Sequence, residues 1–259
     1  YKNYKKPIIL IGSKKMLQMQ MRKMNFSYKI NLIKPNQLKS SKLNNKQINL
    51  IDVHLNLKKP FGKITNKSSK YIKECFDIGI KIMKKKIGLG LINGPISKRH
   101  FLNGKHEGIT EYLASNTHKK NNEVMLIYNK HLSVSPITTH IPLRDVPKKI
   151  SSNLILKKIL TINLFYKKQL RKIPKFAVTG LNPHCESNFI NSEEEKIIKP
   201  AIKKAKNRNI NIKGPFPADT LFMKKNIKNF DVVVGMYHDQ VLTPLKTIYN
   251  FNAINITLG

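Results

Sequence analysis

Acidic residues are scarce in this chain. Only 14 Asp and Glu stand against 49 Lys and Arg in 259 residues, which gives a formal net charge of +35. Arginine is scarce too: five of the 49 basic residues, Arg22, Arg99, Arg144, Arg171 and Arg208, and the rest are Lys. A protein that reads base edges leans on Arg and groups its charge with stacking aromatics. Here Lys is spread almost evenly, including positions 81, 84, 85 and 86 on an expected helix surface, alongside abundant Asn and Ile. That pattern reads as drift toward A/T-rich codons, so nucleic acid is not expected as a partner. The charge would still draw anionic small molecules to a cleft. Two cysteines, Cys75 and Cys185, exclude a disulfide framework. No apolar run approaches the roughly 20 residues of a membrane helix, since Lys interrupts even 154–165. No basic-then-apolar leader opens the sequence, and a reducing, cytoplasmic setting is expected.

A hydrophobic content of 40 % supplies a real core. Short Val/Ile/Leu runs alternate with longer segments of helical character, the pattern of an α/β protein with a largely parallel sheet. Strands are expected at 8–11, 31–33, 48–53, 88–93, 123–128, 132–139, 176–180, 230–236 and 254–258. Helices are expected at 68–86, 150–171 and 193–206, the last acidic in its first turn and basic in its last, as the helix dipole prefers. Interior boundaries are indistinct, so residues 1–259 are not divided into independently folding units.

The residues suited to chemistry fall just past strand ends, where open α/β sheets place their ligand crevice. Asn93-Gly94-Pro95 follows one strand, His140 another, Leu181-Asn182-Pro183-His184 a third and Tyr237-His238-Asp239-Gln240 a fourth. Gly-Pro and Asn-Pro also form ordinary turns, and a lone His usually has a plain structural role. Together, three imidazoles could hold one divalent cation and leave positions open for a substrate. The intervals of 44 and 54 residues match no finger or i,i+4 pair. Asp219 and Asp239 could orient an imidazole or take a proton, or could equally cap a helix or sit in a turn. His54, His100, His106, His118 and His131 read as surface residues, and Cys185 as an inert thiol.

Several motifs in order carry a family resemblance: Asn93-Gly94-Pro95-Ile96-Ser97-Lys98, Gly108-Ile109-Thr110-Glu111-Tyr112-Leu113-Ala114, and Thr138-Thr139-His140-Ile141-Pro142-Leu143-Arg144-Asp145. Gly180-Leu181-Asn182-Pro183-His184, Gly214-Pro215-Phe216-Pro217-Ala218-Asp219-Thr220-Leu221-Phe222, Met236-Tyr237-His238-Asp239-Gln240 and Asn255-Ile256-Thr257-Leu258-Gly259 continue the series. Over residues 87–259 the sequence resembles the 4-hydroxythreonine-4-phosphate dehydrogenases of pyridoxal phosphate biosynthesis. The resemblance implies a two-lobed αβα architecture like that of isocitrate and isopropylmalate dehydrogenases, with a cleft between the lobes. It implies that His140, His184 and His238 are the ligands of a divalent metal (Zn, Mg or Co), contributed across a homodimer interface. It implies that Thr110, Lys246 and Asn255 bind substrate. It also implies NAD as cofactor, although no Gly-x-Gly-x-x-Gly fingerprint occurs here. The expected reaction is oxidation of 4-phosphohydroxythreonine, then loss of carbon dioxide to give 3-amino-2-oxopropyl phosphate. Relative to the family, the chain is expected to lack a Gly-rich opening segment and a C-terminal stretch. Ile109 stands where many members carry His, and Ile donates no hydrogen bond.

Within the family, a threonate or erythronate 4-phosphate dehydrogenase shares these motifs. Outside it stand a metal-binding remnant without turnover, a nucleic-acid-binding remnant and a three-His metallohydrolase using metal-activated water.

Overall fold

The computed structural model describes residues 4–104, 106, 108–117, 123–185 and 191–259. His118, expected at the surface, lies outside them. Contacts divide the chain into two compact units, residues 1–112 and 113–259.

The first unit starts with β1 (Ile9–Gly12), α1 (Lys14–Lys23), β2 (Ile30–Leu32) and β3 (Ile48–Asp52). The strands form a parallel sheet in the order β1-β3-β2. α1 begins where the Ser13 hydroxyl accepts from the Met16 N–H at 3.3 Å, and Arg22 and Lys23 oppose the dipole at its end. α2 (Ser69–Lys84) is amphipathic. It buries Phe76, Gly79, Ile80 and Ile82, and its following lysines, 84 to 86, are exposed. Ile82 joins Ile33, Leu38 and Ile51 in the core of this unit. α3 (Lys98–Phe101) adds Phe101, which stacks on Phe76 with ring centres 5.6 Å apart. α4 (Ile109–Asn116) carries Tyr112, which meets both rings edge-on.

The expected strand at 88–93 does not form. That stretch has no regular structure, and Leu89 and Ile92 are 74 % and 96 % exposed. An apolar run becomes a strand only where a neighbouring edge pairs its backbone, and no described strand pairs with this one.

The second unit is built on six strands: β4 (Val124–Tyr128), β5 (Ser133–Pro136), β6 (Phe176–Thr179), β7 (Ile212–Phe216), β8 (Val232–Gly235) and β9 (Ile254–Leu258). Their order is β7-β6-β8-β5-β4-β9. The four from β7 to β5 are parallel, and β4 runs antiparallel to both β5 and β9. The sequence reading missed β7, whose Lys213, Gly214 and Pro215 are poor strand formers. It lies at the edge of the sheet, where a missing N–H is tolerated.

Side chains alternate between the two sheet faces. Phe176, Val178, Val232 and Val234 point to one face and pack with Ile155, Ile159 and Ile162 of α6 (Ser152–Phe165) and with Ala201 and Ile202 of α7 (Lys199–Lys206). A short helix, α5 (Val146–Lys149), precedes α6. Ala177 and Val233 point to the other face, covered by α8 (Ala218–Leu221), α9 (Lys224–Ile227) and α10 (His238–Tyr249) through Leu221, Ile227, Val241 and Leu245. The second unit is thus a helix–sheet–helix sandwich. Strands buried on both faces read as the continuous apolar runs that marked them in the sequence. The expected helix at 150–171 is α up to Phe165, then closes in a π turn (Tyr166–Leu170) ended by Arg171 in the left-handed region. The one at 193–206 opens with a π turn (Glu194–Ile198) before α7.

Among the described residues no helix is long and apolar enough to cross a membrane.

Candidate active site

Parallel strands β5, β8 and β6 are neighbours, so their carboxyl ends, and the turns that follow, share one rim of the second unit. His140 lies four residues past β5, His238 opens α10 after β8, and the turn after β6 leads to His184. The structure brings two of the three together. The ring centres of His140 and His238 are 6.0 Å apart and tilted by 38°. A cation about 2.0–2.1 Å from one nitrogen of each ring would set the ring centres roughly 5.2 Å apart at a tetrahedral angle, so at 6.0 Å the two rings are neighbours that would have to close by about 1 Å to share one ion. His184 does not join it: among the described residues no group of three His, Cys, Asp or Glu side chains is placed to hold a metal. His184 is exposed, with φ at 59°, and Cys185 follows at 55°.

Asp239 touches His238, with Nδ1 to Oδ1 2.6 Å. A carboxylate accepts only, so Nδ1 donates the proton of this hydrogen bond. Asp219 is occupied locally, its Oδ1 accepting from the Thr220 N–H at 2.8 Å, and it touches no candidate histidine among the contacts seen. Lys246 lies on the exposed face of α10 shared by Asp239 and Thr243, about 12 Å along the axis from His238 at 1.5 Å per residue. Asn255 is exposed on β9, paired with Ile127 of β4. By register it sits toward the opposite end of the sheet from the histidine pair. Thr110 belongs to the first unit, half-buried in the first turn of α4 beside Ile109. Asn93 and Gly94 lie in the strandless stretch and are exposed.

Beneath the rim runs a set of polar contacts the sequence reading did not anticipate. Glu194 is fully buried. Its Oε1 accepts from the N–H groups of Leu181 and Asn182 at 2.8 and 2.9 Å, and its Oε2 from Asn182 Nδ2 at 2.9 Å. Glu193 accepts from the same Nδ2. Burial pushes the Glu194 carboxyl up, but the hydrogen bonds, those from Asn182 foremost, outweigh it and hold the group below its ordinary range. Gln240 is nearly as buried. Its Nε2 donates to Gly180 O at 2.7 Å, while its Oε1 accepts from the Met236 N–H at 2.7 Å and from Thr179 Oγ1 at 2.9 Å. On the other side, Thr138 Oγ1 donates to Met236 O at 2.8 Å. Glycine makes the room. A Cβ on Gly180 would lie 2.4 Å from Cys185 Sγ and 3.0 Å from Glu194 Oε1, and one on Gly235 would lie 2.4 Å from Val241 Cγ1 and 3.0 Å from Gln240 Oε1. The visible signal was a Gln two residues after the His and an adjacent acidic pair after the Asn-Pro-His turn.

The remaining histidines divide. His54 and His131 are exposed, as expected, and His131 stacks on Tyr249 with ring centres 6.2 Å apart. His100 and His106 are half-buried, contrary to expectation: His100 Nδ1 bonds Ser97 Oγ at 2.7 Å, and His106 meets the Tyr112 ring edge-on at 5.4 Å. Both are held by local packing rather than by solvent. Cys75 and Cys185 are free, and burial raises both thiols above their ordinary values, against a nucleophilic thiolate.

The sandwich and its rim define an α/β protein with paired imidazoles at the carboxyl ends of neighbouring parallel strands. The family model described as pyridoxal phosphate biosynthetic protein PdxA matches residues 3–259, and the chain belongs to this family. It is 38 % identical over 216 residues to a 4-hydroxythreonine-4-phosphate dehydrogenase of Sulfurihydrogenibium sp. (strain YO3AOP1), covering 82 % of this chain and 65 % of that protein. A protein of the same description from Bradyrhizobium diazoefficiens is 37 % identical over 176 residues, 65 % of this chain and 51 % of its own length. The chain thus spans between half and two thirds of these relatives. The crystal structure of a 4-hydroxythreonine-4-phosphate dehydrogenase from Burkholderia phymatum superposes with a TM-score of 0.80 at 29 % identity, covering 97 % of this chain and 77 % of that one.

Proposed function

We propose that the chain acts as an NAD-dependent dehydrogenase that oxidises 4-phosphohydroxythreonine and releases carbon dioxide, yielding 3-amino-2-oxopropyl phosphate for pyridoxal 5′-phosphate synthesis in the cytoplasm. The observation that carries this reading is the 6.0 Å pairing of His140 with His238 at the ends of adjacent strands, in a chain of the PdxA family. The pair offers two imidazole nitrogens, donors that suit Zn or Co better than Mg, which prefers oxygen. When bound, such an ion would supply positive charge beside the substrate oxygen, which is negative once its proton has left ahead of hydride transfer and again as carbon dioxide departs. Asp239 holds a proton on His238 Nδ1, which would leave Nε2 as the donor atom for the ion. Lys246, an exposed cation on α10, attracts the substrate's phosphate or carboxylate.

The third donor in this reading is His184 of a second copy. What supports it is that His184 is exposed and stands apart from the pair within its own chain. A symmetric dimer repeats such an exchange in both directions.

The test is NADH formation from 4-phosphohydroxythreonine after chelation and add-back of Zn²⁺, Mg²⁺ or Co²⁺, for this chain and its His238→Ala form. Metal-dependent turnover lost in the variant is the expected result. Turnover of threonate or erythronate 4-phosphate instead would move the substrate within the family, and turnover unaffected by chelation would overturn the metal reading.

A further inference from the structure

We propose that Gln240 is a positioning residue, whose buried amide locks the turn bearing His238 to the turn leading to His184 and thereby sets the geometry of metal ligation. The inference rests on the metal reading given above. Gln240 stands two residues after His238 in the first turn of α10, yet its side chain points into the protein rather than toward the rim. Its three hydrogen bonds reach two strands at once. The acceptor end takes the Met236 N–H, two residues before His238, together with the Thr179 hydroxyl. The donor end holds Gly180 O, the first carbonyl past β6 and the entry to Leu181-Asn182-Pro183-His184. Thr138 grips Met236 O from the far side, which brings the segment leading to His140 into the same lattice.

An aliphatic residue would fill the same space. What only an amide does here is accept on one side and donate on the other, joining two backbone segments that are each tied to a different neighbour, Met236 to Thr138 at 3.1 Å and Gly180 to Phe216 at 3.0 Å. Glycines at 180 and 235 leave the clearance this needs, since a Cβ at 235 would crowd Gln240 Oε1 itself. The contacts are neutral, short and buried, so they fix distance rather than charge. Partners at this remove from a metal site orient the ligands, and their loss commonly weakens metal binding ten- to a hundred-fold.

Gln240→Glu separates the two ends. Its carboxylate keeps the acceptors for Met236 and Thr179 but sets oxygen against oxygen at Gly180 O. The readouts are Co²⁺ affinity and the visible absorption spectrum of bound Co²⁺, which reports ligand geometry, with thermal melting in parallel. The expected result is a Co²⁺ dissociation constant raised roughly ten-fold or more and an altered spectrum, with cooperative melting retained. Wild-type affinity and spectrum in the variant overturn the inference, and so does a lower melting temperature with both unchanged, which marks a purely structural role. If Gln240→Glu does not melt cooperatively, Thr179→Val decides by losing the hydroxyl's bond to Oε1 and its long contact with Val234 O. Weaker Co²⁺ binding there supports the inference, and unchanged binding overturns it. Wild-type protein whose Co²⁺ binding is untouched by His238→Ala would instead bring down the metal reading, and this inference with it.

Discussion

The turns after β8 and β6 solve the same problem in opposite ways. After β8 the chain enters α10 at once, so His238 is placed by a helix, braced by Asp239, and its ring meets His140 of the same chain. After β6 the chain passes through a 3-10 turn with two successive left-handed residues, His184 and Cys185. A side chain rarely adopts that conformation unaided, and it persists where the surroundings impose it. Here Glu194 and Gln240 hold the residues just before it, Gly180 to Asn182, from beneath, and His184 stands exposed. His238 is thus placed by a helix start, and the residues leading to the exposed His184 rest on a buried polar floor.

The largest effect that breaks this contrast is expected from Glu194→Ala. It strips the acceptor from the N–H groups of Leu181 and Asn182 and should cost about 3 kcal/mol or more. Chemical unfolding measures the loss, and a cost near zero would show that the turn holds itself. Gly235→Ala attacks the other turn, where the new Cβ meets Val241 and Gln240; overpacking of this kind costs roughly 1–3 kcal/mol by the same measurement.

A smaller effect appears in pH. The folded Glu194 carboxyl lies below its unfolded value, so its contribution is fully present above about pH 4.3 and is lost as pH falls through the folded value. The stability difference between wild type and Glu194→Gln should shrink over that acidic window and stay flat above it. A difference that grows on acidification would reverse the assignment. Asp239→Asn sharpens the contrast with the least structural change. Asp239 is 79 % exposed, so stability should move by less than about 0.5 kcal/mol. Metal affinity should fall roughly ten-fold as the hold on the His238 tautomer weakens, which Co²⁺ titration would show.

The second unit was largely legible because its strands are buried on both faces. Runs such as Val232, Val233 and Val234 can be little else, and the turn residues after them marked the rim. The stretch at 88–93 carries the same kind of residues, but without a pairing edge its Leu89 and Ile92 remain outside. Glu194 shows the complementary limit. Three acidic residues before a basic run read as complementing a helix dipole, and only the fold shows that one of them turns inward to hold Leu181 and Asn182, 13 and 12 residues upstream. The histidines could be singled out by position. Which two would meet depended on backbone geometry after each strand, which composition does not encode.

Mixing two defective chains tests the central claim most directly. His184→Ala keeps the His140–His238 pair, and His238→Ala keeps His184. If the third ligand comes from a second copy, refolding the two variants together restores metal binding and turnover to about a quarter of the wild-type sites, though each alone has none. Variants that fold and assemble together yet recover nothing would mean that all three histidines must come from one chain, contradicting the account.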